Sequence, residues 1–170
     1  NQMPYLDNGE FYSEFGDFEV SITLPENYVV GATGVLQEQE EIDWLSKKAA
    51  EDAEKNFDEA GDNSFPVSAK ANKTITFKAE NVHDFAWFAD KRFYVLKSEV
   101  KLESGKVVDT WAMFTETESY LWKRAPEYLN RSVAYYSERV GEYPWQHATA
   151  VQSALSAGAG MEYPMLTVIG

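Results

Sequence analysis

Residues 18–24 read Phe-Glu-Val-Ser-Ile-Thr-Leu, apolar and polar side chains alternating without a break. A period of two puts Phe18, Val20, Ile22 and Leu24 on one face of a strand, with Glu19, Ser21 and Thr23 on the other. That is the pattern of a half-buried sheet. It returns at Ile75, Phe77 and Ala79, which alternate with Thr74, Thr76 and Lys78. Two further strand-like runs flank Ser104-Gly105 and predict a hairpin. Residues 28–37 predict another strand, broken by Gly31 and Gly34, which mark a bulge or a close backbone approach. Residues 81–90 are nearly all apolar apart from His83 and Asp84, and read as a strand buried on both faces.

The period changes at residues 38–60. Ile42, Leu45, Ala49, Ala53 and Phe57 recur at helical spacing behind an acidic first turn. The stripe is narrow, so the expectation is a surface helix whose charges form a solvated face. Residues 118–124 predict a short helical lead-in to a longer helix. In that helix Leu129, Val133, Tyr136 and Val140 share one face, with Tyr128 and Ser132 beside them. Pro126 suits the first turn, where a missing N–H costs nothing. Gly141 closes the helix as a left-handed cap and Pro144 stops any continuation. Residues 147–155 and 161–169 read as two more strands around a glycine-containing loop. The fold class is α+β: a mainly antiparallel β part over residues 1–95, then a sheet-plus-helix segment over 96–170.

Composition narrows the function classes. The chain has 170 residues, 44% of them hydrophobic, and a net charge of −13. That supports a folded core. It argues against nucleic acid, whose phosphates need clustered Lys and Arg, and against an anionic membrane surface. No run is long and apolar enough for a membrane helix, and no signal peptide is recognisable. With no cysteine, disulfides and thiolate zinc sites are excluded. The sequence opens at Asn1 without Met, and the expectation is a chain processed or cut from something longer.

Few residues offer catalytic chemistry. A hydrolytic zinc site needs about three converging side-chain ligands. The only histidines are His83 and His147, and each reads as a strand histidine with a local hydrogen bond. No serine lies in G-x-S-x-G, and no glycine loop carries the Lys-Ser/Thr of a phosphate loop. The aromatic-rich segments at 84–88 and 134–145 read as core packing rather than a sugar-binding face. Residues 158–164, Gly-Ala-Gly-Met-Glu-Tyr-Pro, are more suggestive. Glycines admit a ligand backbone, a strand edge can pair with an extended peptide, and a carboxylate can bind an α-ammonium. The same residues also make an ordinary turn and strand, and their chemistry alone leaves both readings open.

Residues 158–169, GAGMEYPMLTVI, resemble the G-x-M-E-N segment of the M1 (gluzincin) zinc aminopeptidases, in the form bacterial members carry. Three upstream segments follow the family's order. Residues 10–37 are similar to the later strands of its N-terminal β domain. Residues 81–87, NVHDFAW, resemble that domain's final strand. Residues 128–145, YLNRSVAYYSERVGEYPW, resemble the first helix of its thermolysin-like catalytic domain and the following G-x-Y-P.

The resemblance implies zinc-dependent removal of N-terminal residues from peptides. Glu162 would grip the free amino group of the substrate, while Gly160 and Ala159 offer backbone that aligns its main chain. Met161 is carried over as a motif position. Tyr163 departs from the usual Asn, and Gln2 is not matched to the family's substrate-contacting Gln. The family's H-E-x-x-H and later Glu ligand lie downstream of this motif and do not occur in these residues. The expectation is therefore a truncated fragment: zinc belongs to the parent, its ligands are absent from this chain, and the chain alone is inactive. The partner implied is a peptide with a free N-terminus. Exposed apolar surface, where the remaining catalytic domain should pack, implies self-association. Bacterial members are often exported, but the compartment stays open. The contrasting class is a non-catalytic β-rich module that binds peptide or glycan with sealed sheet edges.

Overall fold

The computed structural model describes residues 14–59, 61–154 and 160–170. In chain order the elements are β1 (Gly16–Pro25), β2 (Val29–Ala32), β3 (Val35–Leu36), α1 (Gln39–Ala53), β4 (Asn72–Val82) and β5 (Trp87–Asp90). They continue with β6 (Tyr94–Lys101), β7 (Val107–Phe114), α2 (Ser119–Trp122), α3 (Ala125–Val140), β8 (His147–Gln152), β9 (Gly160–Tyr163) and β10 (Leu166–Ile169).

The two alternating runs pair with each other. β1 and β4 are antiparallel, with Ile22 opposite Ile75 and Val20 opposite Phe77. Their inward residues meet Val30 and Ala32 of β2 in one apolar cluster. On the outer face, Thr23 and Thr74 share a hydrogen bond of 2.8 Å. β3 adds to β4, giving the order β1-β4-β3, while β2 pairs with β5 in a separate two-stranded sheet.

Both glycines of the 28–37 segment are accounted for. Gly34 has φ +93°, and a Cβ there would stand 2.7 Å from the Lys78 carbonyl oxygen. Only glycine combines that backbone with that clearance. A Cβ on Gly31 would meet Met113 Sδ at 2.9 Å and Val151 Cγ2 at 3.0 Å. β2 thus rides directly on the larger sheet.

Residues 81–90 are not one strand buried on both faces. β4 ends at Val82, the backbone turns through His83–Ala86, and β5 begins at Trp87, whose side chain is half exposed. Local hydrogen bonds make the break. Asn81, at φ 52°, donates its N–H to Asp17 Oδ1 at 2.8 Å. Asp84 Oδ1 accepts the Phe85 N–H, and Thr33 exchanges bonds with Ala86. His83 consequently lies in a bend beyond the strand, its ring edge-on to Phe15.

The larger sheet has the order β6-β7-β8-β10-β9. β6 and β7 form the expected hairpin, with Gly105 at φ +91° in its turn. β8 runs parallel to β7, β10 parallel to β8, and β9 antiparallel to β10. Residues 161–169 are therefore two strands rather than one, turning at Pro164-Met165.

α1 packs on one face of this sheet. It ends at Ala53, earlier than the periodicity predicts, and Phe57 is buried beyond it against Tyr94 and Phe114. Its inner face holds Leu45 and Ala49 but also Glu41 and Asp52. The charged segment is thus not simply a solvated face. Asp52 accepts the Val95 N–H at 2.8 Å and pairs with Lys48 at 3.0 Å. Glu41 pairs with Lys73, whose ammonium also lies 4.1 Å from the Trp44 ring centroid.

α3 packs on the opposite face, over β6, β7 and β8. Pro126 and Val133 are buried, and Asn130 bonds to Thr110 (2.6 Å) and Ser98 (2.9 Å). The expected face is only half right: Tyr136 is 60% and Val140 79% exposed, and Tyr128 and Tyr135 also face outward. The aromatic segment at 134–145 is accordingly not all core. Gly141 closes the helix at φ 125° and ψ 148°. Its positive φ is the one expected of a glycine cap, but its ψ is extended rather than left-handed helical.

Candidate functional site

Glu162 lies on β9, the edge strand of the large sheet. Among the described residues β9 pairs only with β10, with Tyr163 opposite Leu166, Glu162 opposite Thr167, Met161 opposite Val168 and Gly160 opposite Ile169. Two residues, Pro164 and Met165, close the hairpin. In such a hairpin the flanking pair Tyr163–Leu166 is hydrogen-bonded, and alternate pairs follow suit. Met161 therefore spends its backbone groups on Val168. The N–H and C=O of Glu162 and Gly160 point away from β10, toward the open edge. Extended peptide pairs with an edge of this kind.

Side chains on β9 alternate between the two faces of the sheet. Met161 and Tyr163 are half-buried on the α1 side, where Tyr163 packs against the first core cluster and its ring centroid lies 6.4 Å from that of Phe88. Glu162 is exposed on the α3 side. The register carries that face from Glu162 through Thr167, Ala150 and Ala112 to Leu96. Leu96, Ala112 and Ala150 lie in one cluster with Trp122 of α2, and Leu129 of α3 packs against it. The face is thus covered over β6, β7 and β8 and open toward β9, where Ile169 and Glu162 are exposed. Among the described residues no ion pair involves Glu162. The carboxylate is available to a cation arriving over the open face or along the edge.

Gly160 is exposed at the start of β9, and a Cβ there would meet the Val168 carbonyl oxygen at 3.4 Å. Ala159 lies outside the described residues. Tyr163 and Glu162 are neighbours in sequence but face opposite sides, so the tyrosine contributes packing rather than a group beside the carboxylate.

The turn supplies a residue that sequence reasoning missed. Met165 has φ 62°, fits the second central position of a type II turn after Pro164, and is 3% exposed. A non-glycine residue in that region is strained by about 1–2 kcal/mol. Its side chain clusters with Ala79 and Val82 of β4, against Phe18, Phe85 and Trp145, and its carbonyl accepts the Thr149 N–H at 2.9 Å. Pro164 was the one available signal, because no Gly or Asn follows it.

The histidines are apart. His147 is half-buried between the sheets: Nε2 bonds to the Gly34 carbonyl at 2.8 Å and Nδ1 to Thr149 Oγ1 at 3.0 Å. Burial holds its pKa below the usual histidine value, against the opposing effects of the Gly34 carbonyl and Asp109. A neutral ring uses both nitrogens there, one donating and one accepting. Among the described residues no three His, Asp or Glu side chains converge as a metal site. The donors present do not fit a zinc ion.

Solved structures provide the comparison. The chain matches a mutant form of a two-domain M1 zinc metallopeptidase bound to L-arginine with a TM-score of 0.60 and 14% identity, over 92% of this chain and 30% of that one. A mutant M1 zinc metallopeptidase from Deinococcus radiodurans bound to a Tyr-Ser-Ala substrate matches with a TM-score of 0.57 and 14% identity, over 93% of this chain and 31% of that one. Legionella pneumophila aminopeptidase A in complex with aspartic acid matches with a TM-score of 0.62 and 12% identity, over 91% and 16%. No family model and no curated protein matches the sequence. The chain has the α+β fold of part of the M1 zinc metallopeptidases, and it spans less than a third of the length of each of these chains.

Proposed function

We propose that this chain is a section of a zinc-dependent aminopeptidase and carries the part that recognises a peptide's amino terminus. Residues 1–95 are read as the end of a β-rich N-terminal domain, and 96–170 as the start of the thermolysin-like catalytic domain. The observation that carries the reading is Glu162, an exposed carboxylate on a strand edge that is unpaired among the described residues, beside outward-facing backbone groups.

The chemistry follows from that placement. The α-ammonium of a free N-terminus forms charge-assisted hydrogen bonds with the Glu162 carboxylate. The peptide main chain pairs with the outward groups of Gly160 and Glu162, as an added strand. Ala159 extends this backbone in the motif, and Met161 anchors β9 from the opposite face. Fixing the ammonium fixes the register, because the first peptide bond lies one residue away from it. A blocked N-terminus loses that ion pair and places a bulky acyl group against the carboxylate.

Zinc, which supplies activated water in such peptidases, belongs in this reading to the longer parent. The chain alone cleaves nothing. Substrates proposed from the relatives, which are bound to amino acids or a tripeptide, are peptides with free amino termini. The outward aromatic side of α3 is read as packing surface for the rest of the parent, and as a route to self-association when bare.

The test uses the longer protein that contains this chain. E162A should raise KM for a free-amine dipeptide at least about tenfold, the loss expected for a hydrogen bond to a charged group. Its melting temperature should stay near wild type. Unchanged kinetics on free-amine and N-acetylated peptides would overturn the assignment.

A further inference from the structure

We propose that Met165 is a positioning residue: it anchors the β9–β10 turn in a pocket of the N-terminal sheet and thereby sets where Glu162 stands. The inference rests on the reading of Glu162 as the amine-binding carboxylate.

β9 is held by little else. Its only strand neighbour among the described residues is β10, and its far side is the open edge. Its direction therefore depends on β10 and on the turn. That turn is fixed at two points outside the hairpin. The Met165 carbonyl accepts the Thr149 N–H of β8 at 2.9 Å. The Met165 side chain is buried with Ala79 and Val82 of β4, while Phe18, Phe85 and Trp145 pack around it. Two residues earlier on the hairpin, the Tyr163 ring rests near Phe88 of β5.

The choice of residue carries the argument. At φ 62° the backbone of position 165 favours glycine, which adopts that region without strain. Methionine is unfavourable there for the backbone alone. A strained residue persists where its surroundings over-determine it. At Met165 those surroundings are the apolar pocket on β4, filled by a long unbranched side chain well suited to irregular gaps. The carboxylate that reads the substrate is thus located from the neighbouring sheet, through four consecutive residues, Glu162 to Met165.

The test compares M165G, M165L and V82A, the last thinning the same pocket from the β4 side. In the 170-residue chain, M165G should speed amide exchange at Met161 and Tyr163, the β9 residues bonded to β10, about tenfold, while Val95, Val108 and Val151 keep their protection. In the longer protein, M165G should raise KM for free-amine peptides about tenfold with kcat within about twofold, the pattern of a misplaced binding group. M165L should recover most of that loss. V82A should shift exchange and KM the same way by a smaller factor, and it serves if M165G does not fold. Wild-type exchange and wild-type KM in both M165G and V82A would overturn the proposal. An equal loss in M165L and M165G would overturn it too, because a filled pocket would then not matter. A distinct result, faster β9 exchange in M165G with E162A kinetically silent, would instead remove the aminopeptidase reading of Glu162.

Discussion

α1 and α3 are amphipathic helices of nearly equal length, 15 and 16 residues, lying on opposite faces of the same sheet. α1 buries two carboxylates and leaves no large apolar side chain strongly exposed. α3 buries no charge and leaves Tyr128, Tyr135, Tyr136 and Val140 in solvent. A helix that seats even its acidic residues has all its neighbours. A helix that displays aromatics on its outer side offers a second packing surface. The same contrast runs through the sheet, which is closed under α1 and open on the α3 side near β9. The amine-binding proposal sits on the open half.

Breaking the closed side should cost most. K73M removes the partner of Glu41, whose carboxyl burial already pushes up in pKa against the opposing pull of Lys73. The variant should lose about 3 kcal/mol in urea unfolding at pH 7. The double variant E41Q/K73M should lose clearly less, since no charge is stranded. If the two behave alike, the pair is not what holds α1 down.

On α3, the buried side should answer similarly and the outer side hardly at all. V133D should cost about 3 kcal/mol, because Val133 packs with Leu102, Val108 and Ala148. Thermal unfolding of that variant gives the check. Between the sheets, His147 should make stability fall on acidification. Its folded pKa lies below the unfolded value. The unfolded chain therefore takes up a proton first as pH drops below about 6.5, and unfolding is favoured. From pH 7.5 to 5.5 the loss should be about 1 kcal/mol, and H147Q should flatten that part of the profile. The smallest effect belongs to the outer side of α3. Y136S should change stability by less than about 0.5 kcal/mol. It should also reduce any concentration-dependent light scattering. A large destabilisation in Y136S would mean that the two sides of α3 are not distinct.

How far the sequence could be read depends on where the information lies. Phe18–Leu24 and Ile75–Ala79 were legible because a period of two is a local property that each run shows before its partners are known. The hairpin at Gly105 was legible for the same reason. The buried acids of α1 were not. Glu41 is satisfied by Lys73 from β4, and Asp52 by the Val95 N–H of β6, both distant in sequence. The α3 stripe misled because periodicity marks apolar residues without saying which neighbour they await. Residues 161–169 read as one strand because a methionine occupies the positive-φ position that usually announces a turn. The choice of Glu162 came from resemblance to a family motif. Its place on an open edge came only from the register.

The strand order β8-β10-β9 has a consequence for how the molecule assembles. β9 is made before β10 in the chain, yet β10 occupies the slot beside β8. The hairpin is closed by a local turn and can form within microseconds. It then docks as a unit through its second strand. Until that docking, β8 is itself a bare edge, and every bond that ties β9 to the rest of the sheet passes through β10. On this side of the sheet opening should therefore begin with the hairpin, whose undocking from β8 carries β9 away together with β10. The carboxylate proposed to meet a substrate is among the last parts of the sheet to arrive and the first to leave.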